Sequence, residues 1–332
     1  MTRVAVIGAG SMGRNHLRVL RDLPQAELVA VSDSDPAAAA AAGRLHGIAH
    51  YDDHRQLLQQ ERPEAVTVAV PTRLHRQVGL DVLGAGCHAL VEKPLAATVE
   101  EARELVEAAA AAGLVLMAGH VERYNPAVIE LKRRLQAGEL GRIFQVNARR
   151  QGPFPERVRD VGVVLDLATH DVDIMRYLCE REVVRVYAEI SREVHGSNED
   201  LACALLRLEG GVVGVLEVSW LTPAKIREVT VTGEKGMFRA EYLTQDLYFW
   251  ENAHPQGQWE HLQILRGVSE GAMTRFAIPK QEPLRLELGA FLEAAAGRPA
   301  EVVSGADGLQ AICLAQALLE SGREGRAVEL RP

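Results

Sequence analysis

Apolar residues in the first third of the chain fall into short unbroken runs separated by amphipathic stretches. Val4-Ala5-Val6-Ile7, Leu28-Val29-Ala30-Val31 and Ala65-Val66-Thr67-Val68-Ala69-Val70 are rich in β-branched side chains and do not alternate with polar residues. Such runs predict strands buried on both faces, as in a parallel sheet covered by helices. Shorter runs at 88–91 and 114–118 predict two more strands. Helices are predicted between them, over 11–23, from Pro36 through the following alanines, up to Gly86, and from 99 to Gly113. Asp35 before Pro36 has the pattern of an N-cap, and Thr98-Val99-Glu100-Glu101 that of a capping box. Strands alternating with helices over 1–120 predict an α/β domain built on a doubly wound parallel sheet.

Beyond Gly119 the pattern changes. Asn125-Pro126 opens a helix of mixed charge, and 143–150 reads as a strand. From about 183 onward the chain becomes a series of alternating strands, clearest at 183–194, 201–208, 212–220, 226–231 and 236–242. Gly210-Gly211 and Gly233-Glu234-Lys235-Gly236 mark hairpins. This predicts a second, α+β domain over 121–332 with a large, mainly antiparallel sheet. Helices near 166–179 and 283–297 are expected on one face. The other face is expected to stay open and to pair with a second copy, giving a homodimer or homotetramer.

The first strand ends in Gly8-Ala9-Gly10-Ser11-Met12-Gly13. Glycines at this spacing between a strand and a helix suit a pyrophosphate. The first makes the turn, the second lets the backbone approach the phosphates, and the third packs helix on strand. Ser11 and Met12 open the helix whose N-terminus faces the anion. The second strand ends at Asp33, about 20 residues past Gly13, where a carboxylate accepts hydrogen bonds from a ribose diol. Asp35 is taken up by capping, which leaves Asp33 for the ribose. Ser34 adds no cation for a 2′-phosphate, so NAD is expected over NADP.

Length, charge and cysteine usage narrow the class. The 332 residues suggest two domains. A formal net charge of −8 argues against general nucleic-acid affinity. No apolar run reaches the roughly 18 residues of a membrane span, and the first residues run straight into a strand with no export leader. Cys87, Cys179, Cys203 and Cys313 are scattered, with no spacing for a metal site or disulfide framework. A cytoplasmic protein without a metal is expected.

Three further stretches carry candidate chemistry. Pro71-Thr72-Arg73-Leu74-His75 leaves the carboxyl edge of the sheet, so Thr72 and His75 are candidates for the nicotinamide half of the cofactor. The plainer alternative makes Thr72 a helix cap and His75 a solvated first-turn residue. Glu92-Lys93-Pro94 leaves the same edge; taken alone, Lys93 could be a surface lysine. A helix over 166–179 puts Asp166, His170 and Asp173 on one face, either as a solvated polar face or as a site built around an imidazole suited to proton transfer near neutral pH.

The glycine turn, Glu92-Lys93-Pro94 and the Asp166–His170 pair, in that order and at those intervals, resemble the Gfo/Idh/MocA oxidoreductases over essentially the whole chain. The resemblance implies an N-terminal Rossmann domain binding NAD, with Glu92 and Lys93 at the cofactor. It also implies that Lys93 and His170 flank the substrate carbon, with Asp166 close by. Many members carry a glycine cluster before this aspartate; here the lead-in is Asp160-Val161-Gly162-Val163-Val164-Leu165. Oxidation of a secondary alcohol needs a hydride acceptor and a base. His170 is the expected base and Lys93 the cation on the same oxygen, although a lysine strongly shifted by burial could exchange roles with it.

A narrower resemblance, to the UDP-N-acetylglucosamine 3-dehydrogenases, rests on Gly119-His120-Val121-Glu122-Arg123-Tyr124-Asn125-Pro126 and Trp220-Leu221-Thr222-Pro223. Arg149-Arg150-Gln151-Gly152-Pro153-Phe154-Pro155, running on to Arg157 and Arg159, also contributes. It implies oxidation at C3 of a nucleotide-activated amino sugar. Arg123, Tyr124 and Asn125 would then meet nicotinamide or sugar, and Arg149 to Arg159 would hold the diphosphate; an exposed basic loop, or a cap at Asn125, is the alternative. The nearest other function is the same chemistry on a free sugar or inositol. One of another class is a non-catalytic regulator that senses NAD(H).

Overall fold

The unbroken apolar runs become the strands of a six-stranded sheet because neither of their faces can be left in water. The computed structural model describes residues 1–155, 161–194, 196–253 and 269–330. Strands β1 (Thr2–Ile7), β2 (Ala26–Ser32), β3 (Ala49–Tyr51), β4 (Ala65–Val68), β5 (His88–Glu92) and β6 (Leu116–Gly119) pair in the order β3-β2-β1-β4-β5-β6. Every pair is parallel. Helices α1 (Ser11–Asp22), α2 (Pro36–His46), α3 (His54–Glu61), α4 (His75–Gly84) and α5 (Val99–Ala112) connect the strands. The order reverses between β1 and β4, the switch point outside which doubly wound sheets bind ligands. Asp35 caps α2, its Oδ1 accepting the Ala37 N–H at 2.9 Å. Thr98 caps α5, and Gly113 closes that helix at φ +64°. Ala49–Tyr51 and His54–Glu61, too short and polar to stand out in the sequence, add an edge strand and a helix.

This unit comprises Met1–Tyr124, close to the expected division at 120/121, together with the later stretch Gln281–Cys313. The helix expected on the antiparallel sheet, α8 (Pro283–Ala295), instead packs on α1 and on the 3₁₀ turn Val121–Tyr124. Its Leu284, Leu288, Phe291 and Leu292 join one core with Leu17 and Leu20 of α1. At the rim, Arg18 of α1 pairs with Glu282.

The second unit comprises Asn125–Lys280 and Leu314–Pro332. It holds a nine-stranded sheet made of β7 (Ile143–Pro153), β8 (Val183–Ser191), β9 (Leu201–Leu208), β10 (Val213–Ser219), β11 (Leu221–Gly233), β12 (Gly236–Glu241), β13 (Asp246–Ala253), β14 (Ser269–Phe276) and β15 (Val328–Glu329). The strand order is β14-β13-β12-β11-β7-β10-β9-β8-β15, antiparallel except for the β7–β10 pair. One face is buried, with Val146, Ala148, Val186, Ala204, Leu216, Val229 and Phe238 among its members. Helices α6 (Pro126–Gln136) and α7 (Thr169–Cys179) pack against this sheet. The other face is open as expected: Leu205 is 55% exposed, and Tyr187 and Met273 also stand out from it. Helix α9 (Gly305–Glu324) contributes its residues up to Cys313 to the first unit and the rest to the second.

Among the described residues no helix is long and apolar enough to cross a membrane, and no cluster of His, Cys, Asp or Glu could hold a metal. Among the described residues, Cys87, Cys179, Cys203 and Cys313 form no disulfide.

Candidate functional site

The glycine turn divides its three glycines by what surrounds them. Gly8 sits at φ +100°, and a Cβ there would lie 2.4 Å from the Ala69 carbonyl oxygen; a Cβ on Gly13 would lie 1.8 Å from that of Gly8. Both positions therefore hold glycine for the sake of the protein's own packing. Gly10 differs: its φ is −68°, and a Cβ would meet no atom within 4 Å. Among the described residues nothing requires glycine at that position, so the space beside it is available to a ligand. The first turn of α1 carries no side-chain cap and no acidic residue, which leaves its N–H groups and dipole to an external anion.

Asp33 braces this turn. Its Oδ2 accepts the Ala9 N–H at 2.7 Å and its Oδ1 the Asp35 N–H at 2.9 Å. The expectation that Asp33 is uncommitted is thus corrected, though each oxygen keeps a second lone pair for a ribose hydroxyl. The open Gly10, the uncapped first turn and the braced carboxylate fit the diphosphate and ribose of a dinucleotide. Gly10→Ala tests this, because alanine adopts the observed φ without strain. It should weaken NAD binding at least tenfold in a fluorescence titration, while a cost of about 1 kcal/mol or less at the N-cap leaves the Tm nearly unchanged. Unchanged NAD affinity would remove the pyrophosphate from this turn.

Two loops follow along the carboxyl edge. Thr72 opens a 3₁₀ turn, Thr72–Leu74, and is partly exposed. His75 begins α4 but is only 1% exposed. Its Nδ1 lies 2.8 Å from the Pro94 carbonyl oxygen and its Nε2 2.9 Å from that of Val70. His75 is therefore not solvated: it ties the loop after β4 to the loop after β5. Burial pushes its pKa down, against the pull of the two carbonyls. Glu92 ends β5 and is buried; Lys93 follows it, half-buried. The Glu92 Oε2 accepts the Lys93 N–H at 3.1 Å.

In the second unit Asp166 lies in a π turn, Val164–Ala168, that runs into α7, where His170 is the second residue and buried. Glu199 holds the entry. Its carbonyl accepts the Val163 N–H at 2.9 Å and its Oε1 the Val164 N–H at 3.1 Å. A Cβ on Gly162 would come within 2.1 Å of the same carboxylate. The single glycine of this lead-in is thus fixed by a carboxylate placed over the turn. The expected polar helix face is not solvated, since Thr169 through Met175 are all buried. Asp171, which the spacing did not single out, makes two bonds to Arg150, at 2.7 Å from Nε to Oδ2 and 3.0 Å from Nη2 to Oδ1. Both side chains are 0% exposed.

The alternation of β7 then decides the fate of Arg149. Arg150 points to the α7 side, so Arg149 points to the open face. There the register sets it opposite Glu217 of β10 and Glu228 of β11, with both carboxylates 3.2 Å away. Where a substrate diphosphate was expected, Arg149 meets two glutamates, and it lies on the opposite side of the sheet from His170. Arg157 and Arg159 lie outside the described residues.

Residues of the stretch before α6 make contacts within their own unit. Arg123 pairs with Asp307 at 3.0 Å, and the Tyr124 hydroxyl donates to the Glu301 carbonyl at 3.1 Å. Asn125 is the cap of α6, and its Nδ2 donates to the Tyr242 carbonyl at 3.0 Å.

Comparison with known proteins bears on both units. Residues 2–120 match the model of an oxidoreductase family with an NAD-binding Rossmann fold, and residues 128–239 match the GFO/IDH/MocA C-terminal domain. The chain is 32% identical to inositol 2-dehydrogenase 1 of Saccharopolyspora erythraea, over 99% of this chain and 96% of the relative. It is 31% identical to D-apiose dehydrogenase of Paraburkholderia graminis, over 98% and 89%. To UDP-N-acetylglucosamine 3-dehydrogenase of Acidithiobacillus ferrooxidans it is 30% identical over 90% of each chain. A solved structure of that enzyme superposes with a TM-score of 0.84, at 27% identity, covering 96% of this chain and 97% of the other.

Proposed function

Since the chain belongs to the Gfo/Idh/MocA oxidoreductase family, whose members named above are dehydrogenases of sugars and inositols, we propose that it oxidises a secondary hydroxyl at C3 of a nucleotide-activated amino sugar such as UDP-N-acetylglucosamine. NAD, when bound, supplies the hydride acceptor. His170 takes the hydroxyl proton, Lys93 stabilises the negative charge that develops on the oxygen, and Asp166 assists from the turn before α7. The observation that carries the reading is the pairing of an open, anion-ready glycine turn with a lysine held at the end of β5 in the same unit. The likeness to the UDP-N-acetylglucosamine enzyme in sequence and fold supports the choice of substrate. A homo-oligomer assembled through the open face of the nine-stranded sheet belongs to this reading, with Leu205, Tyr187 and Met273 as its apolar contacts.

A second reading, oxidation of a free sugar or inositol, is favoured by Arg149. Its charge is met by Glu217 and Glu228, so a diphosphate has one fewer of the cations expected for it. Inositol and apiose enzymes are also as similar as the nucleotide-sugar enzyme. The test is to mix protein, NAD and UDP-N-acetylglucosamine and follow the absorbance of reduced nicotinamide. A rise supports the first reading. A rise with inositol or a free sugar alone decides for the second. No rise across the panel, with NADH still bound, leaves a non-catalytic sensor, for which a buried histidine and a braced lysine have no use.

A further inference from the structure

Beneath Lys93, in the first unit, three ionisable side chains are buried together. His16, one turn beyond Gly13 on α1, is 0% exposed, and its Nε2 lies 3.0 Å from Oε1 of Glu92. The other Glu92 oxygen accepts the Lys93 N–H. Gly119 of β6 closes the far side, where a Cβ would come within 3.1 Å of the Glu92 carboxyl. Glu287 of α8 is also 0% exposed, and among the described residues neither of its carboxyl oxygens has a hydrogen-bond partner.

We propose that His16 is a positioning residue for Lys93, acting through the Glu92 carboxylate, with Glu287 as the third member of the cluster. The inference rests on the role proposed above for Lys93. A carboxylate that takes one donor on each oxygen is fixed in plane. Glu92 thereby links the helix that follows the dinucleotide turn to the backbone of the reacting lysine. Without His16, Oε1 is a buried acceptor with nothing to accept, and the carboxylate must turn or take up a proton. Either change frees the Lys93 backbone.

The electrostatics of the cluster agree with this geometry. Burial pushes the Glu92 carboxyl up, but the hydrogen bond and charge of His16, together with Lys93, outweigh it and hold the group below its ordinary range. Glu287 goes the other way, raised well above that range by burial and then by the like charges of Glu92 and Glu122. The cluster thus sets one carboxyl held down beside one pushed up. On the elements packed against α8, Arg18 is paired with Glu282 and Arg123 with Asp307.

The test uses the full chain with H16A, H16Q and E287Q. The rate at which an amine-reactive acylating reagent labels Lys93, read by peptide mass spectrometry, needs no sugar. It should change at least threefold in H16A and return towards wild type in H16Q, whose amide also donates. In turnover, H16A should lose roughly 10–100-fold in kcat, the scale of a reacting group displaced by about 1 Å, with the NADH Kd within about twofold of wild type. The infrared spectrum at neutral pH should show a protonated-carboxyl C=O band that E287Q removes. Unchanged Lys93 labelling in H16A overturns the proposal. So does loss of NADH binding in step with kcat without recovery in H16Q, or the absence of a band sensitive to E287Q. A wild-type protein that oxidises no sugar defeats the proposed function instead, and the labelling and infrared results still decide this inference.

Discussion

Replacing Lys93 by methionine is expected to lower kcat by roughly 10²–10⁴-fold, the range for losing a positioned acid–base or charge-stabilising group. NADH binding should stay within about twofold of wild type. Methionine keeps most of the aliphatic stem and removes only the ammonium. The backbone around it is held independently of that charge: the Lys93 N–H is taken by Glu92, and the Pro94 carbonyl faces His75. The loss should therefore fall on the chemical step and spare both folding and the cofactor. Steady-state rates on whichever sugar the wild type oxidises, set beside an NADH titration of the same preparation, provide the check. Turnover within a few-fold of wild type would take Lys93 out of the mechanism.

The second large effect concerns stability. Asp171→Leu should destabilise the second unit by about 3–5 kcal/mol, because it strands the Arg150 guanidinium at a site with no exposure. At roughly 2–4 °C per kcal/mol for a unit of this size, thermal unfolding should begin at least about 6 °C earlier. The double variant R150M/D171L should recover most of the loss, since an apolar pair of similar volume needs no compensating charge. If D171L melts with the wild type, the pair is not the buried, mutually dependent contact described here. Asp171 adjoins His170 on α7, so the single variant should also lose activity at temperatures where it remains folded, as the imidazole's footing shifts.

What the chain discloses in advance depends on how local the physics is. The strands of the parallel sheet are legible because burial on both faces leaves an unbroken apolar run, and the glycine turn because sterics at Gly8 and Gly13 exclude every side chain. The caps Asp35 and Thr98 are equally local. Long-range partners are not. Amphipathicity says that α8 needs a core but not which one, so its docking on α1 could not be read from residues 283–297. Arg149 and Arg150 look alike in sequence, yet strand alternation sends one to two glutamates on the open face and the other to Asp171. Knowing which face carries α7 was needed to tell them apart. His75 was hidden for a similar reason: its partners are carbonyls, which leave no trace in composition. His16 and Glu287 gave one faint signal, an ionisable residue on the apolar stripe of a helix, which acquires meaning only once both helices are seen to converge on Glu92.

The first unit is assembled from two stretches of chain, Met1–Tyr124 and Gln281–Cys313, with all of the second sheet except β15 encoded between them. During synthesis the apolar side of α1 therefore leaves the ribosome long before Leu288 and Phe291 exist to cover it. Truncation after residue 124 reproduces that unfinished state permanently. The nucleotide-binding half cannot be excised with a single cut, and its folding has to wait for the last sixth of translation.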